Sequence, residues 1–246
     1  MNTKINTNPS LRKISFKVLS AAAFLMLSSV ALAQDSYTIK MSVKAEGLPP
    51  EYSAYAEQDI LTHIKGDKLK TERNGMMGGS TSFYDGKKMT TIMETMGNKL
   101  GYTATKEELE STDKNQKTDK PKIEYSSDKK MIAGYECTKA IMTSIDADKK
   151  EAKTILWITD KIKYQHPEAN KAAGKGMMDL SDLKGYPLGM EMNQNAQGME
   201  IKIIMTTTEI LTTPIDDSVF VLNTDGYTMM SYKEMMEKQK TMMQGK

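Results

Sequence analysis

Tyr37-Thr38-Ile39-Lys40-Met41-Ser42-Val43-Lys44-Ala45 alternates apolar with polar residues without a break. That period of two is the mark of a β-strand with one buried and one wet face. Met199, Ile201, Ile203 and Met205 alternate in the same way with Glu200, Lys202 and Ile204, and run on into Thr206, Thr207 and Thr208. Between these two strands the turn chemistry is legible. Gly66-Asp67 separates an Ile60 to Lys65 run from Lys68 to Arg73. Asp85-Gly86 separates Ser80 to Tyr84 from Lys87 to Glu94, and Gly97-Asn98 precedes Lys99 to Thr105. Glycine and Asp or Asn take the positive φ that tight hairpins require, so residues 57 to 105 are expected to form an antiparallel meander. Further strands are expected at 122 to 126, 129 to 133, 137 to 145, 152 to 159, 188 to 193 and 218 to 222.

Helical signals are few. A short helix or turn, then a charged linker, is expected from Lys106 to Lys122, and a partly helical insertion from His166 to Leu183. Ser231 with Glu234 forms a capping box, and Tyr232, Met235, Met236, Met242 and Met243 recur near helical spacing. We therefore expect an amphipathic, methionine-striped helix over 228–246. The fold class is mainly β with α: an antiparallel sheet with covering helices.

The 246 residues contain 34 Lys plus Arg against 32 Asp plus Glu, one Cys, two His, one Trp and 22 Met. The first 33 residues carry Lys4, Arg12, Lys13 and Lys17 and no acid, then an apolar run from Val18 to Val30 and Ala31-Leu32-Ala33. This is the pattern of a cleaved secretory signal. At 13 residues the run is short of the ~20 needed to span a bilayer. Cleavage following Ala33 would leave a soluble periplasmic or secreted chain of one domain, 34–246, with no membrane span. Without the signal the balance is slightly acidic, which argues against nucleic acid as a partner.

Chemistry is scarce. A single Cys closes no internal bridge. Cys137 reads as a small buried hydrophobe, and His63 and His166 as structural or surface residues. No nucleophile elbow, phosphate loop or dinucleotide fingerprint is present. We expect no catalytic residues, no metal and no cofactor. Twenty methionines after residue 33 instead suggest flexible core filling, a cavity that accommodates an apolar ligand, or thioether sites for Cu(I). For copper, Met93-x-x-Met96, Met190-x-Met192 and pairs such as Met76-Met77 can be quoted, although adjacent residues on a regular element point apart.

Met131-Ile132-Ala133-Gly134-Tyr135-Glu136-Cys137-Thr138-Lys139-Ala140 is followed by Thr154 to Asp160 around Trp157. Gly185-Tyr186-Pro187-Leu188-Gly189-Met190-Glu191-Met192 comes next, then Ile215-Asp216-Asp217-Ser218-Val219-Phe220 ahead of Gly226-Tyr227. In that order, over roughly residues 36 to 230, the chain resembles an exported bacterial domain-of-unknown-function family related to the LolA-like periplasmic lipoprotein carriers. The resemblance implies an incomplete, strongly curved antiparallel barrel whose apolar interior holds lipid or lipoprotein acyl chains.

The expected function is a non-enzymatic carrier for such a hydrophobic ligand. The alternatives are a methionine-rich Cu(I)-handling protein and a structural protein with envelope partners. Expected lining residues are Met89, Met93, Trp157, Met190, Met192, Met235, Met236 and Met242, each apolar and on a strand face or the terminal stripe.

Overall fold

The computed structural model describes residues 36–109, 120–145, 151–163, 180, 182–196 and 199–243. By its contacts the chain divides into Met1–Gln34 and Asp35–Lys246. The expected signal segment, most of the charged linker after Lys106 and most of the insertion from His166 to Leu183 lie outside the described residues. No described helix is long and apolar enough to cross a membrane.

Among the described residues twelve strands form one sheet. They are β1 (Ser36–Glu46), β2 (Gln58–Lys65), β3 (Lys68–Gly75), β4 (Gly78–Tyr84), β5 (Lys88–Thr95), β6 (Asn98–Thr105), β7 (Lys122–Ile132), β8 (Tyr135–Ile145), β9 (Glu151–Thr159), β10 (Tyr186–Ala196), β11 (Met199–Leu211) and β12 (Thr228–Ser231). The first six make one meander and β7 to β11 a second. The two join where β1 pairs antiparallel with β11, and β12 lies parallel to β6 at one edge. The sheet is curved and open, and it does not close into a barrel.

Hairpin chemistry explains the first meander. Gly66, at φ 55°, turns β2 into β3. Asp85 Oδ1 accepts from the amides of Lys87 and Lys88 at 2.9 Å while Gly86 sits at φ 90°. The turn expected at Gly97-Asn98 falls one residue earlier: Met96 (φ 49°) and Gly97 (φ 80°) occupy its two positive-φ positions, and Asn98 starts β6. The strands expected at 122 to 126 and 129 to 133 are one strand, β7, with a register shift between Tyr125 and Lys129.

Three other segments differ from expectation. A helix α1 (Pro50–Ala56) opens on prolines 49 and 50, where a fixed φ suits a first helical turn. Residues 218 to 222, read as a strand, contribute instead to a 3-10 turn, Asp217–Phe220. Asp216 caps it by accepting from the Ser218 amide at 2.8 Å, and Phe220 packs on Phe83 with ring centroids 6.0 Å apart. Residues 228–231 are strand, and the terminal helix α2 (Tyr232–Met243) begins after them. Its capping box forms as the sequence suggests: the Ser231 amide donates to Glu234 Oε2 at 2.8 Å, and the Glu234 amide to Ser231 Oγ at 3.3 Å.

The core gathers at one end of the sheet. Ile39, Ile64, Leu69, Tyr84, Met89, Ala104, Leu109, Ile162 and Leu188 are buried in one cluster, with Tyr37, whose hydroxyl donates to the Lys161 carbonyl at 3.5 Å. A second cluster holds Ala140, Met142, Leu156 and Ile158.

Candidate functional site

Directly opposed residues in neighbouring antiparallel strands share a face, so the register can be read as rows across the sheet. One row is Ile64, Leu69, Tyr84, Met89 and Ala104, all buried. The next is Thr62, Thr71, Ser82, Thr91 and Tyr102, a line of five hydroxyls across β2 to β6. Beyond it run Met41, Ile60, Arg73, Ser80, Met93 and Leu100. On the other side of β1 the same face continues as Val43, Met205, Met190 and Leu156, and beside that as Ala45, Ile203, Met192 and Thr154.

The opposite face takes the charge. Lys40 pairs with Glu209, Lys70 with Glu72 at 2.9 Å and Lys202 with Glu191 at 2.8 Å. Across β1–β6 and β9–β11, Arg73 is the one charged residue whose register places it on the row-bearing face. That face is therefore amphiphilic in plan: methionine and aliphatic side chains lie over β1, β11 and β10, while over β2 to β6 a row of hydroxyls and one guanidinium run between apolar residues and make that half the more polar.

The polar half is held together internally. Ser82 and Thr91 hydroxyls lie 2.9 Å apart, and Thr62 and Thr71 3.4 Å. Burial pushes the Tyr102 phenol up from its ordinary pKa, while a hydrogen bond with Thr91 and the charge of Arg73 pull the other way. Burial likewise draws the Arg73 guanidinium down, opposed by Tyr102. These mutual effects place the two side chains within each other's field. The Tyr232 ring, first in α2, stands 6.0 Å from the Tyr102 ring, so α2 begins over this half.

The apolar half is left partly open. Val43, Ala45, Ile203, Met205, Met190 and Met192 are all half-buried, although their strands are central in a twelve-stranded sheet. Methionine is unbranched and polarizable, and can follow the contour of a flexible apolar partner.

The residues expected to line a site are placed as follows. Met89, Met93, Met190 and Met192 share the row-bearing face, Met89 buried at the core end and the other three half-buried. Met235 is buried and Met236 half-buried on α2. Met242 lies in α2, and its side chain is outside the described residues. Trp157 stands on the opposite face, opposite Gly189 in the register, with Lys130 Nζ 5.5 Å from its ring centroid.

Val43, Ile203, Met205, Arg73 and the hydroxyl row were not anticipated. A usable signal existed for Arg73: the chain has only two arginines, Arg12 and Arg73, against 32 lysines. Of the methionines quoted for copper, Met76, Met77 and Met96 are exposed at hairpin turns. They line an open hollow of about 560 Å³ with Ile92, Glu94 and Tyr227.

His63 lies on the charged face, its Nδ1 3.0 Å from the Thr38 hydroxyl, and burial lowers its pKa. His166 is outside the described residues. Cys137 is fully buried, its thiol donating to the Tyr135 carbonyl at 3.6 Å. Burial pushes its pKa up, so less thiolate is present at any given pH. The native protein is expected to resist iodoacetamide at pH 8 for hours and to be alkylated within minutes in concentrated urea, as read by intact mass. Rapid native labelling would show that this end of the sheet opens.

No family model matches the chain, and no curated protein matches it. Solved structures do. One is PNGF-II, at 15% identity over 82% of this chain, with a TM-score of 0.44; the chain spans about a third (33%) of that protein's length. Another is the Mycobacterium tuberculosis lipoprotein LppX, at 11% identity over 80% of this chain and 98% of that one, with a TM-score of 0.36. A third is a LolA superfamily protein from Nitrosomonas europaea, at 12% identity, covering 77% of this chain and 91% of that one, with a TM-score of 0.28. Likeness at this level leaves the binding chemistry to be argued from the chain's own residues.

Proposed function

We propose that this protein is a non-enzymatic carrier that lays a hydrophobic ligand, a lipid or a lipoprotein acyl chain, along the partly open rows of its sheet. It would act in the periplasm after cleavage following Ala33. The observation that carries the reading is the half-burial of Val43, Met205, Met190, Ala45, Ile203 and Met192 on one uncharged stretch at the centre of the sheet. A hydrocarbon tail laid there removes apolar surface from water on both partners, at roughly 0.8 kcal/mol for each methylene buried. Met93 on the same face and Met235 and Met236 on α2 would extend the contact, and Met89 would form its floor at the core end. Trp157, on the other face, supports the sheet behind the rows.

Protein purified from its own envelope is expected to yield a stoichiometric amphiphile on solvent extraction and mass spectrometry. After delipidation it should bind a neutral acyl probe such as methyl oleate. Repeated recovery without amphiphile, together with no uptake of methyl oleate, would end the carrier reading.

A further inference from the structure

Arg73 stands out on the row-bearing face for two reasons that do not depend on each other. By register it is the single charged residue there across nine strands, flanked by Ile60 on β2 and Ser80 on β4. By composition it is the one arginine after residue 12 in a chain that otherwise meets its need for positive charge with lysine. A lysine on this face would be a compact, strongly hydrated point charge. A guanidinium is planar, more weakly hydrated, and offers a rigid fork that matches two oxygens of a carboxylate or phosphate.

The neighbours suit the same partner. Ser80 lies directly across from Arg73, the Ser82, Thr91 and Tyr102 hydroxyls form the adjoining row, and Tyr102 shares an electrostatic field with Arg73. Hydroxyls can turn their protons toward an anion, and charge-assisted hydrogen bonds are about twice as strong as neutral ones. Two strands away, roughly 10 Å at the usual strand spacing, the same face becomes the methionine and aliphatic rows beginning at Val43 and Met205. One surface thus offers an anion's partners and a tail's partners within the length of a single acyl chain.

We infer that the ligand of this carrier is an anionic amphiphile whose carboxylate or phosphate head is held by the half-buried Arg73 and Ser80, with the buried Thr91 and Tyr102 hydroxyls supporting the guanidinium from the adjoining row, and whose tail lies on the Val43, Met205, Met190 rows. This rests on the carrier reading and adds the chemical class of the ligand. The arginine acts by binding and orienting the head; no bond is made or broken.

The test uses the delipidated full chain and displacement of a fluorescent apolar probe by four competitors: oleate, oleoyl lysophosphatidate, methyl oleate and inorganic phosphate. Wild type is expected to bind at least one of the two anionic amphiphiles about ten- to a hundredfold more tightly than methyl oleate. Which of the two it prefers identifies the head as carboxylate or phosphate. Arg73→Leu should erase that preference while leaving methyl oleate within about threefold, and Arg73→Lys should keep part of it.

Equal affinity of wild type for oleate, oleoyl lysophosphatidate and methyl oleate overturns the inference and leaves the carrier reading standing. So does an equal loss of all three in Arg73→Leu. Displacement by millimolar inorganic phosphate alone would make this a small-anion site and also overturn it. Failure of every acyl competitor to bind defeats the carrier reading itself. Should Arg73→Leu not fold, the wild-type comparison still decides, with Tyr102→Phe expected to weaken the anions selectively.

Discussion

Replacing Gly78 by alanine is expected to lower the unfolding free energy by about 3–5 kcal/mol, and the same replacement at Gly97 by only about 1–2 kcal/mol. Both glycines sit at positive φ in hairpins of the first meander, Gly78 at 134° and Gly97 at 80°. They differ in what an added methyl group meets. At Gly97 nothing lies within 4 Å, so the change carries only the left-handed backbone penalty of an L-residue. At Gly78 the Cβ would fall 2.0 Å from the Glu94 carbonyl oxygen and 3.1 Å from the Thr95 Cα. Those are backbone atoms of the paired strand β5, with no side-chain rotation to relieve the clash. The φ there is also one that side-chain-bearing residues rarely adopt. Either β4 parts from β5 at that end or the turn rebuilds. Urea denaturation of the two variants against wild type measures the difference, and equal losses would mean that the pairing of Gly78 with Thr95 is not held as tightly as the register indicates.

The second large effect concerns the ligand. Met205→Glu is expected to weaken methyl oleate binding about a hundredfold or more, because a carboxylate placed between Val43 and Met190 would have to lose water when a tail covers it. Ile204→Glu, one residue away, should change binding less than about threefold. Ile204 points to the other face, opposite Lys44 and Glu191, where charge is already the rule. Both positions are half-buried in wild type, so both variants should fold, with similar melting temperatures. Parity along β11 is what separates them. Two variants that bind alike, whether both weakly or both well, would remove the rows from the ligand site.

How far such a site is legible in the sequence follows from the range of the interaction that makes it. Alternation over Tyr37 to Ala45 and turn residues such as Gly66 act between near neighbours, and they announce the strands and the first meander. Ser231 and Glu234 are three residues apart, and their capping box was equally readable. The run Ser218-Val219-Phe220-Val221-Leu222 has strand-like residues, but Asp216 and the docking of Phe220 on Phe83 override that preference.

The rows were out of reach for a different reason. They require knowing that β1 pairs with β11, and the register shift between Lys40 and Met41 resets which residues of β11 oppose β1. Trp157 shows the same limit: Ile155, Leu156, Trp157 and Ile158 are apolar in succession, so alternation gives no parity there, and only the pairing with Gly189 puts the ring on the far face. Arg73 carries no local mark of its face, since a charged residue in an alternating strand ordinarily lies on the wet side.

The seam between the two meanders also shapes how the molecule is made. Val43 meets Met205, so as the polypeptide leaves the ribosome or the translocation pore, the outer edge of the opening strand waits for some 160 residues before its mate arrives. At about 5–20 residues per second that is roughly 8–30 s. For that interval the nascent half-sheet presents a bare, sticky border of the kind that recruits other chains. Quality control during biogenesis, rather than the finished molecule's resilience, is then where mutations along this border would first be felt.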